Sequence, residues 1–263
     1  MAAAMRRLLL LMPLAAAAPA AGQRLDYQPV SDEALAAGPR LAYRKVDGDN
    51  GPSGLGLQWA LLDRFEYAAQ RGRDGYAWDF SALLGGDRHR LFLGASGEGE
   101  AWAAPDYVEL NALFSYHVGG RWDLNGGLRY DVQAGPDRAY AALGGQYDDG
   151  EALWFGGWAY LSHKGEWSAR VAAYYNQPLP GPLVLQPSAE LDYYGEDMPE
   201  LGLGRGLGYA EAGLRLRYEI REAFAPYLGL SWSRDLGRTA RMTRAEGEDP
   251  ETKSLVMGVR SAF

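Results

Sequence analysis

From Leu57 to the C-terminus, apolar and polar residues alternate with a period of two, which predicts β-strands rather than helices. Leu110 and Phe114 share one parity, for example, while Glu109 falls on the other. Glycine-containing turns separate the runs. The pattern predicts about twelve strands, which are the run that begins at residue 57 and the runs 76–84, 90–100, 107–118, 122–132, 138–147, 153–161, 167–175, 183–192, 209–219, 224–233 and 254–263.

Runs of about ten residues are long enough to cross a bilayer at a tilt. A soluble barrel would turn the apolar parity inward, whereas an outer-membrane barrel turns it toward lipid. Aromatic residues on the apolar parity favour the membrane barrel, because they fall near strand ends and sort into two interfacial girdles. The predicted girdles are Trp59, Trp122, Trp154, Tyr218 and Phe224 at one level, and Tyr67, Tyr76, Tyr130, Tyr160, Trp167 and Trp232 at the other.

Short and long connections alternate along the chain, so that the connections at one end of the predicted barrel are short and those at the other end include the longest. The connections at Gly85, Gly119 and Asp148 are short, whereas the opposite set includes the long stretches 193–208 and 234–253. Short periplasmic turns and longer external loops are typical of outer-membrane barrels. The fold class predicted is therefore an all-β transmembrane antiparallel barrel of about 12 strands, with both termini in the periplasm.

The polar parity of a membrane barrel lines its interior, and here it carries both signs of charge. Two interpretations remain open: a structural ion-pair network that fills the lumen, or a path for small ions and polar solutes. The residues predicted for this lumen network are Arg64, Glu66, Asp79, Glu109, Arg129, Asp131, Glu190, Glu211, Arg215 and Arg217.

Residues 1–21 predict a signal peptide for Sec export, because Arg6 and Arg7 precede the short apolar run 8–18 and small residues follow it. A single membrane anchor is the alternative, but the stretch is short and diluted by alanine. Residues 22–56 show no strand periodicity, and we predict that they form a flexible periplasmic segment. Residues 57–263 form the predicted barrel domain.

The amino-acid composition limits the kinds of functional site that the chain can form. The chain has 263 residues with 35 Gly, 17 Tyr and 8 Trp but no Cys, which excludes disulfides, zinc-thiolate sites and iron-sulfur clusters. A formal net charge of −8 argues against nucleic-acid binding. The histidines His89, His117 and His163 have no serine partner at an evident common level, so we predict no enzyme activity.

Without cysteine, methionine and histidine are the soft metal ligands that remain. Met198 and Met242 fall in the two longest external loops, and His163 lies in another loop on the same rim. These three residues could approach one another and form a weak site for monovalent copper. The alternative is that isolated loop methionines have no role in metal binding.

Several runs of the sequence resemble the copper resistance protein B family of outer-membrane proteins. The resemblance covers residues 57–263, and its clearest runs are LGGDRHRL (84–91), GLRYD (127–131), LQP (185–187), AEAGLRLRYEIR (210–221) with FAPY (224–227), and RAEGED (244–249). The chain departs from this family at residues 22–56, which contain neither the methionines nor the histidines that many members carry before the barrel.

The resemblance implies a monomeric barrel in the outer membrane of a Gram-negative bacterium, which works beside a periplasmic multicopper oxidase in copper tolerance. Copper, bound or transported, is the implied metal, and no organic cofactor is expected. The other expected partners are outer-membrane lipid, lipopolysaccharide and the barrel-assembly machinery that reads the aromatic C-terminus. A small-solute or ion-selective porin with no copper role remains the alternative function.

Overall fold

The computed structural model describes residues 56–221 and 223–263. The predicted signal peptide and nearly all of the predicted periplasmic segment fall outside these residues. The described chain is almost entirely β-strand, as the period-two pattern predicts. Its strands are β1 (Leu57–Gln70), β2 (Gly75–Gly85), β3 (His89–Glu100), β4 (Tyr107–Gly119), β5 (Trp122–Gln133), β6 (Arg138–Asp148), β7 (Leu153–Ser162), β8 (Trp167–Tyr175), β9 (Gln177–Pro178), β10 (Leu183–Tyr194), β11 (Gly206–Tyr218), β12 (Phe224–Asp235) and β13 (Glu251–Ala262).

Twelve of these strands form a closed antiparallel ring, and the two-residue β9 pairs at the start of β10. The ring closes where β1 pairs with β13 and β10 pairs with β11. Beyond β13, the amide of Phe263 donates to the carbonyl of Ala60 at 2.8 Å, and the amide of Ala60 donates back at 3.2 Å. Because no edge remains, the backbone hydrogen bonds of the ring are satisfied within the sheet, as a lipid environment requires.

Burial in this barrel is inverted relative to a soluble protein. On the outside, Leu143 is 71% exposed and Leu128 is 68% exposed, whereas Arg217 is 1% and Asp131 is 2% exposed. Apolar side chains therefore face the lipid and charged side chains face the interior, which confirms the membrane-barrel prediction over the soluble barrel.

A β-bulge in β1 changes which residues face inward. The pairing of β1 shifts register between Leu62 and Arg64 on the β2 side, and near the same point on the β13 side. Before the bulge Trp59 and Leu61 line the interior, and after it Arg64 does. The prediction that Trp59 faces lipid was therefore wrong, since a bulge inserts one residue and reverses the parity.

The aromatic girdles are partly as predicted. Five of the predicted residues are exposed on the outer surface, namely Trp122, Tyr130, Trp167, Tyr218 and Phe224. Trp154 and Tyr160 on β7 were assigned to the wrong face, because they line the interior. Since Phe155 and Leu161 on the other parity are also apolar, alternation on β7 does not distinguish its two faces.

The predicted short turns at the periplasmic end and longer connections at the extracellular end are both present. The two longest extracellular loops, residues 195–205 and 236–250, contain a 3₁₀ turn at Pro199–Leu201 and the helix α1 at Thr239–Ala245. Among the described residues, no helix is long and apolar enough to cross a membrane.

Deletion of Phe263 should reduce the fraction of protein that reaches the folded barrel, because it removes both hydrogen bonds between this residue and Ala60, each worth about 1 kcal/mol. The folded fraction can be measured by the heat-dependent gel mobility of outer-membrane preparations. Phe263→Trp is the matched control, because it keeps the backbone and an aromatic terminus. Equal folding of the deletion variant and the wild type would contradict this account of barrel closure.

Candidate transport lumen

The interior holds a cavity of about 1440 Å³ whose lining extends from one end of the barrel to the other. At the periplasmic end it is lined by the turn residues Asp87, Arg121 and Gly150, and at the extracellular end by Met198 and Leu203 of the 195–205 loop. One cavity therefore reaches both the periplasmic turns and the extracellular loops.

Arg129 is the centre of the ion pairs in the extracellular half. Its Nε lies 2.8 Å from Oδ1 of Asp131, and its Nη2 lies 2.9 Å from Oε2 of Glu109. The guanidinium also lies over the rings of Tyr160 and Tyr140, at 4.5 and 5.2 Å from their centroids. Two buried carboxylates and two aromatic rings hold this arginine in one position, because each contact stabilises its positive charge.

Arg170 extends this network to the neighbouring strands. Its Nε lies 2.9 Å from Oδ1 of Asp192 and 3.2 Å from Oε1 of Glu190, and its Nη1 lies 3.2 Å from Oε2 of Glu109. Asp192 has the same parity as Glu190, so the alternation could have identified it although it was not predicted.

A second set of ion pairs crosses from β11 to β1. Arg215 donates through Nε to Oε2 of Glu66 at 2.8 Å, and both side chains are largely buried. Arg64 lies 3.8 Å from Glu211, which is a looser contact between partly exposed groups. Asp79 lines the same cavity and makes no ion pair within 4 Å among the described residues.

The periplasmic end contains a third set. Arg217 lies 3.3 Å from Glu219 and donates to the side-chain oxygen of Asn176 at 2.9 Å. Arg260 lies 2.8 Å from Asp63. Asp63 breaks the parity of β1 in the sequence, and the structure explains this by the bulge, which turns Asp63 and the next residue inward together.

The ten residues predicted for the lumen network are therefore all placed inside the barrel. Nine of them line the cavity, and Glu66 is buried beside it against Arg215.

His117 lies at the periplasmic end of β4, with its ring held by a carboxylate. Its Nδ1 lies 2.8 Å from Oδ1 of Asp123, and the same oxygen accepts from the guanidinium of Arg90. The side chain of His117 is 34% exposed and lines the cavity. With Nδ1 engaged by Asp123, Nε2 is the ring nitrogen left for another partner.

Three aromatic rings form a wall of the lumen in its periplasmic half. Trp154 stacks on Tyr174 at 5.2 Å and on Trp158 at 6.0 Å between ring centroids. Gly144 and Gly156 leave room for the indole of Trp158, since a Cβ on either glycine would come within 2.4 Å of that ring. The ring therefore lies flat along the wall.

The extracellular mouth is roofed by the 195–205 loop. Glu200 Oε1 accepts from Arg138 and from Lys164, each at 3.0 Å, and so ties the roof to β6 and to the loop after β7. On the other side, Arg238 lies 2.6 Å from Asp197. These ion pairs hold the roof from two sides, although their partners are far apart in sequence.

Met198, Met242 and His163 occupy different surroundings. Met198 is 2% exposed and lines the cavity from the roof. Met242 lies in α1, and exposed His163 accepts the backbone N–H of Ala139 through Nδ1 at 3.3 Å. Neither of these two lines the cavity. Among the described residues, no group of three or more His, Asp or Glu side chains is arranged to hold a metal ion.

A closed ring of membrane-length strands with an apolar exterior and a charged interior defines an outer-membrane β-barrel of the porin-like type. The NanC porin has this fold, with a TM-score of 0.52 at 12% identity, covering 75% of this chain and 98% of that chain. This likeness concerns the fold alone.

Residues 57–263 match the family described as Copper resistance protein B precursor (CopB), and the chain belongs to this family. It is 37% identical over 203 residues to the Copper resistance protein B homolog of Pseudomonas syringae pv. tomato, covering 77% of this chain and 69% of that protein. It is 38% identical over 209 residues to Copper resistance protein B of Escherichia coli, covering 77% of this chain and 68% of that protein. The protein is therefore an outer-membrane barrel with a role in copper resistance.

Replacement of Arg129 by methionine should destabilise the barrel by about 3 kcal/mol, because Asp131 and Glu109 would remain buried without their cation. The free energy of unfolding can be measured by urea titration in lipid vesicles. The double variant Arg129→Met with Asp131→Asn should recover part of this loss, since one of the two uncompensated charges is then absent. A single variant as stable as the wild type would contradict the central role of Arg129.

The roof should remain tied down in moderately acidic solution. The pKa of Glu200 is lowered from 4.5 to about 2, because its own amide, Lys164 and Arg138 all donate to the carboxylate. A lowered pKa means that this stabilisation is present in full above pH 4.5 and is lost as the pH falls toward 2.

Single-channel conductance should therefore be higher in Glu200→Gln than in the wild type, and the difference between the two should be constant from pH 7 to about 4.5 and close only as the pH approaches 2. Comparing the two proteins at equal pH cancels the effect of pH on the other groups that line the lumen. Glu248→Gln, on the neighbouring 236–250 loop, is the matched control. A difference that closes with a midpoint near 4.5, or no difference at neutral pH, would show that Glu200 does not hold the roof.

Proposed function

We propose that the barrel binds copper and provides its path across the outer membrane, working with a periplasmic multicopper oxidase. The observation that carries the proposal is the cavity that reaches both ends of a barrel belonging to a copper resistance family.

The cavity carries more negative than positive side chains. Among the described residues that line it, eleven are aspartate or glutamate and eight are arginine, with no lysine. Three carboxylates are therefore left in excess. A narrow lumen with this balance favours cations over anions, because the low-dielectric wall concentrates the field of the lining charges.

One donor that suits copper lies near each end of the cavity. At the periplasmic end, Asp123 fixes the ring of His117 through Nδ1, which is the arrangement that orients an imidazole for binding a metal through Nε2. At the extracellular end, the thioether of Met198 lines the cavity beneath the roof. Imidazole and thioether are both copper ligands, and the thioether favours the monovalent ion.

The copper contacts proposed are therefore His117 and Met198. The rim site predicted from the sequence, which joins Met198 to Met242 and His163, is the competing arrangement. It receives less support from the structure, since Met242 and His163 do not line the cavity.

The partners belong to the same proposal. The oxidase is inferred from the family resemblance, and the accessible turns Asp87 and Arg121 at the periplasmic mouth are where it would meet the cavity. The apolar outer surface fits outer-membrane lipid, and Glu246, Glu248 and Asp249 suit the cations that bridge lipopolysaccharide. The terminal Phe263 suits the barrel-assembly machinery, and we propose a monomer.

Copper binding can be tested on the refolded barrel by anaerobic titration with monovalent copper. His117→Asn and Met198→Leu should each weaken binding by at least about tenfold, because each removes a donor from the cavity. His163→Asn and Met242→Leu are matched controls and should bind like the wild type. Undiminished binding in His117→Asn, with loss in His163→Asn and Met242→Leu, would favour the rim site instead.

In cells, deletion of the gene should lower copper tolerance, and the double variant His117→Asn with Met198→Leu should fail to restore it. The alternative function is a general small-solute porin, which the continuous cavity also allows. Unchanged copper tolerance in the deletion strain, together with a conductance that copper does not affect, would establish the porin and overturn the copper path.

A further inference from the structure

The charges that line the cavity are not evenly distributed along its length. Within five residues of the extracellular ends of the strands, the described residues that line the cavity include seven carboxylates and only two arginines. Two of these carboxylates, Asp79 and Glu98, lie on β2 and β3. The other five lie on β4, β5, β10 and β11, and are Glu109, Asp131, Glu190, Asp192 and Glu211.

The periplasmic end is nearly balanced. Within four residues of the periplasmic strand ends and in the adjoining turns, the described lining residues include five arginines and three aspartates. The arginines are Arg90, Arg121, Arg215, Arg217 and Arg260. Three further carboxylates pair with these arginines, namely Glu66, Glu219 and Asp63, so this end keeps no excess of positive charge.

Ion pairing leaves a charge asymmetry between the two ends. Near the extracellular ends five carboxylates remain in excess, or four when Arg64, which lies 3.8 Å from Glu211, is counted with them. At the periplasmic end the charges nearly cancel. A negative zone and a nearly neutral zone therefore lie in series along one lumen.

We propose that this lumen rectifies ionic current, passing more current when the extracellular side is positive. With that polarity, cations pass from the acidic zone into the neutral zone, while anions that enter from the periplasm are held back by the carboxylates, so both carriers accumulate in the neutral zone and the conductance rises. The reverse polarity draws both carriers out of the neutral zone, and the conductance falls.

This inference rests on the proposed function in one respect only, which is that ions can pass through the lumen. The charge order determines which polarity carries more current, whereas net copper movement follows the gradient of copper itself. Copper tolerance and copper binding are therefore independent of the measurement below.

The experiment is a current–voltage measurement on the purified mature protein in planar bilayers, with symmetric KCl and no copper. Orientation is read from Ala104→Cys, because Ala104 lies in the extracellular loop after β3 and the chain has no other cysteine. A bulky maleimide then lowers the current only from the extracellular side. At 0.1 M KCl we expect a current ratio of about two between the polarities, because the Debye length of about 10 Å lets the lining charges act across the lumen.

At 1 M KCl the ratio should approach one, since the Debye length falls to about 3 Å. The test variant is Asp79→Asn with Glu98→Gln, because neither residue makes an ion pair within 4 Å among the described residues and folding is little disturbed. It should lose about half of the rectification. The matched control, Glu246→Gln with Glu248→Gln, removes the same charge from an extracellular loop outside the cavity and should rectify like the wild type.

Four results would overturn the proposal: a ratio of one in the wild type at low salt, a larger current at the opposite polarity, equal rectification in the lumen variant and the wild type, or loss of rectification in the loop control. Absence of current in both the wild type and the roof variant Asp197→Asn with Glu200→Gln would also overturn it. A pore that conducts equally at both polarities would contradict rectification but not the proposed copper path. A rectifying pore whose deletion leaves copper tolerance unchanged would contradict the copper path but not rectification.

Discussion

The structure depends on one constraint, which is that no backbone hydrogen-bonding group can be left unpaired in lipid. A sheet satisfies this only by closing, so β1 must meet β13 and the chain must return to the level at which it started. Closure then fixes everything else. The strands have an inside and an outside, the outside must be apolar, and most of the charged side chains on the strands lie in a narrow lumen, where many of them pair with one another.

Most of the fold could be predicted from the sequence, because this constraint requires apolar and polar residues to alternate along each strand. The predicted strand bounds differ from the observed ones by only a few residues, and the alternation of short and long connections gave the direction of each strand. Errors arose where the period fails. The bulge beside Asp63 reversed the parity of Trp59, and β7 is apolar on both faces, so Trp154 and Tyr160 were placed outside.

The candidate site was less predictable, for a different physical reason. The parity shows that Arg129 and Glu109 face inward, but which carboxylate each arginine contacts depends on strand tilt and on side-chain reach across several strands. Arg170 bonds to Glu109, which is 61 positions earlier in the chain. The contacts of the roof are harder still to predict, because Glu200, which accepts a hydrogen bond from Arg138, lies in a loop whose sequence has no periodicity. Isolated methionines in such loops have no pattern, so the buried position of Met198 beneath the roof could not be distinguished from the more open surroundings of Met242.

The two glycines under Trp158 have a wider consequence for the calibre of the barrel. A ring of twelve strands fixes the outer circumference, but the free width inside is set by how far each side chain projects from the wall. By omitting side chains at Gly144 and Gly156, the wall is thinned where its largest side chain lies, and the indole occupies that recess. The free width of the lumen is thus set by single residues without any change in strand number, so a side chain at either glycine would displace the indole and narrow the lumen.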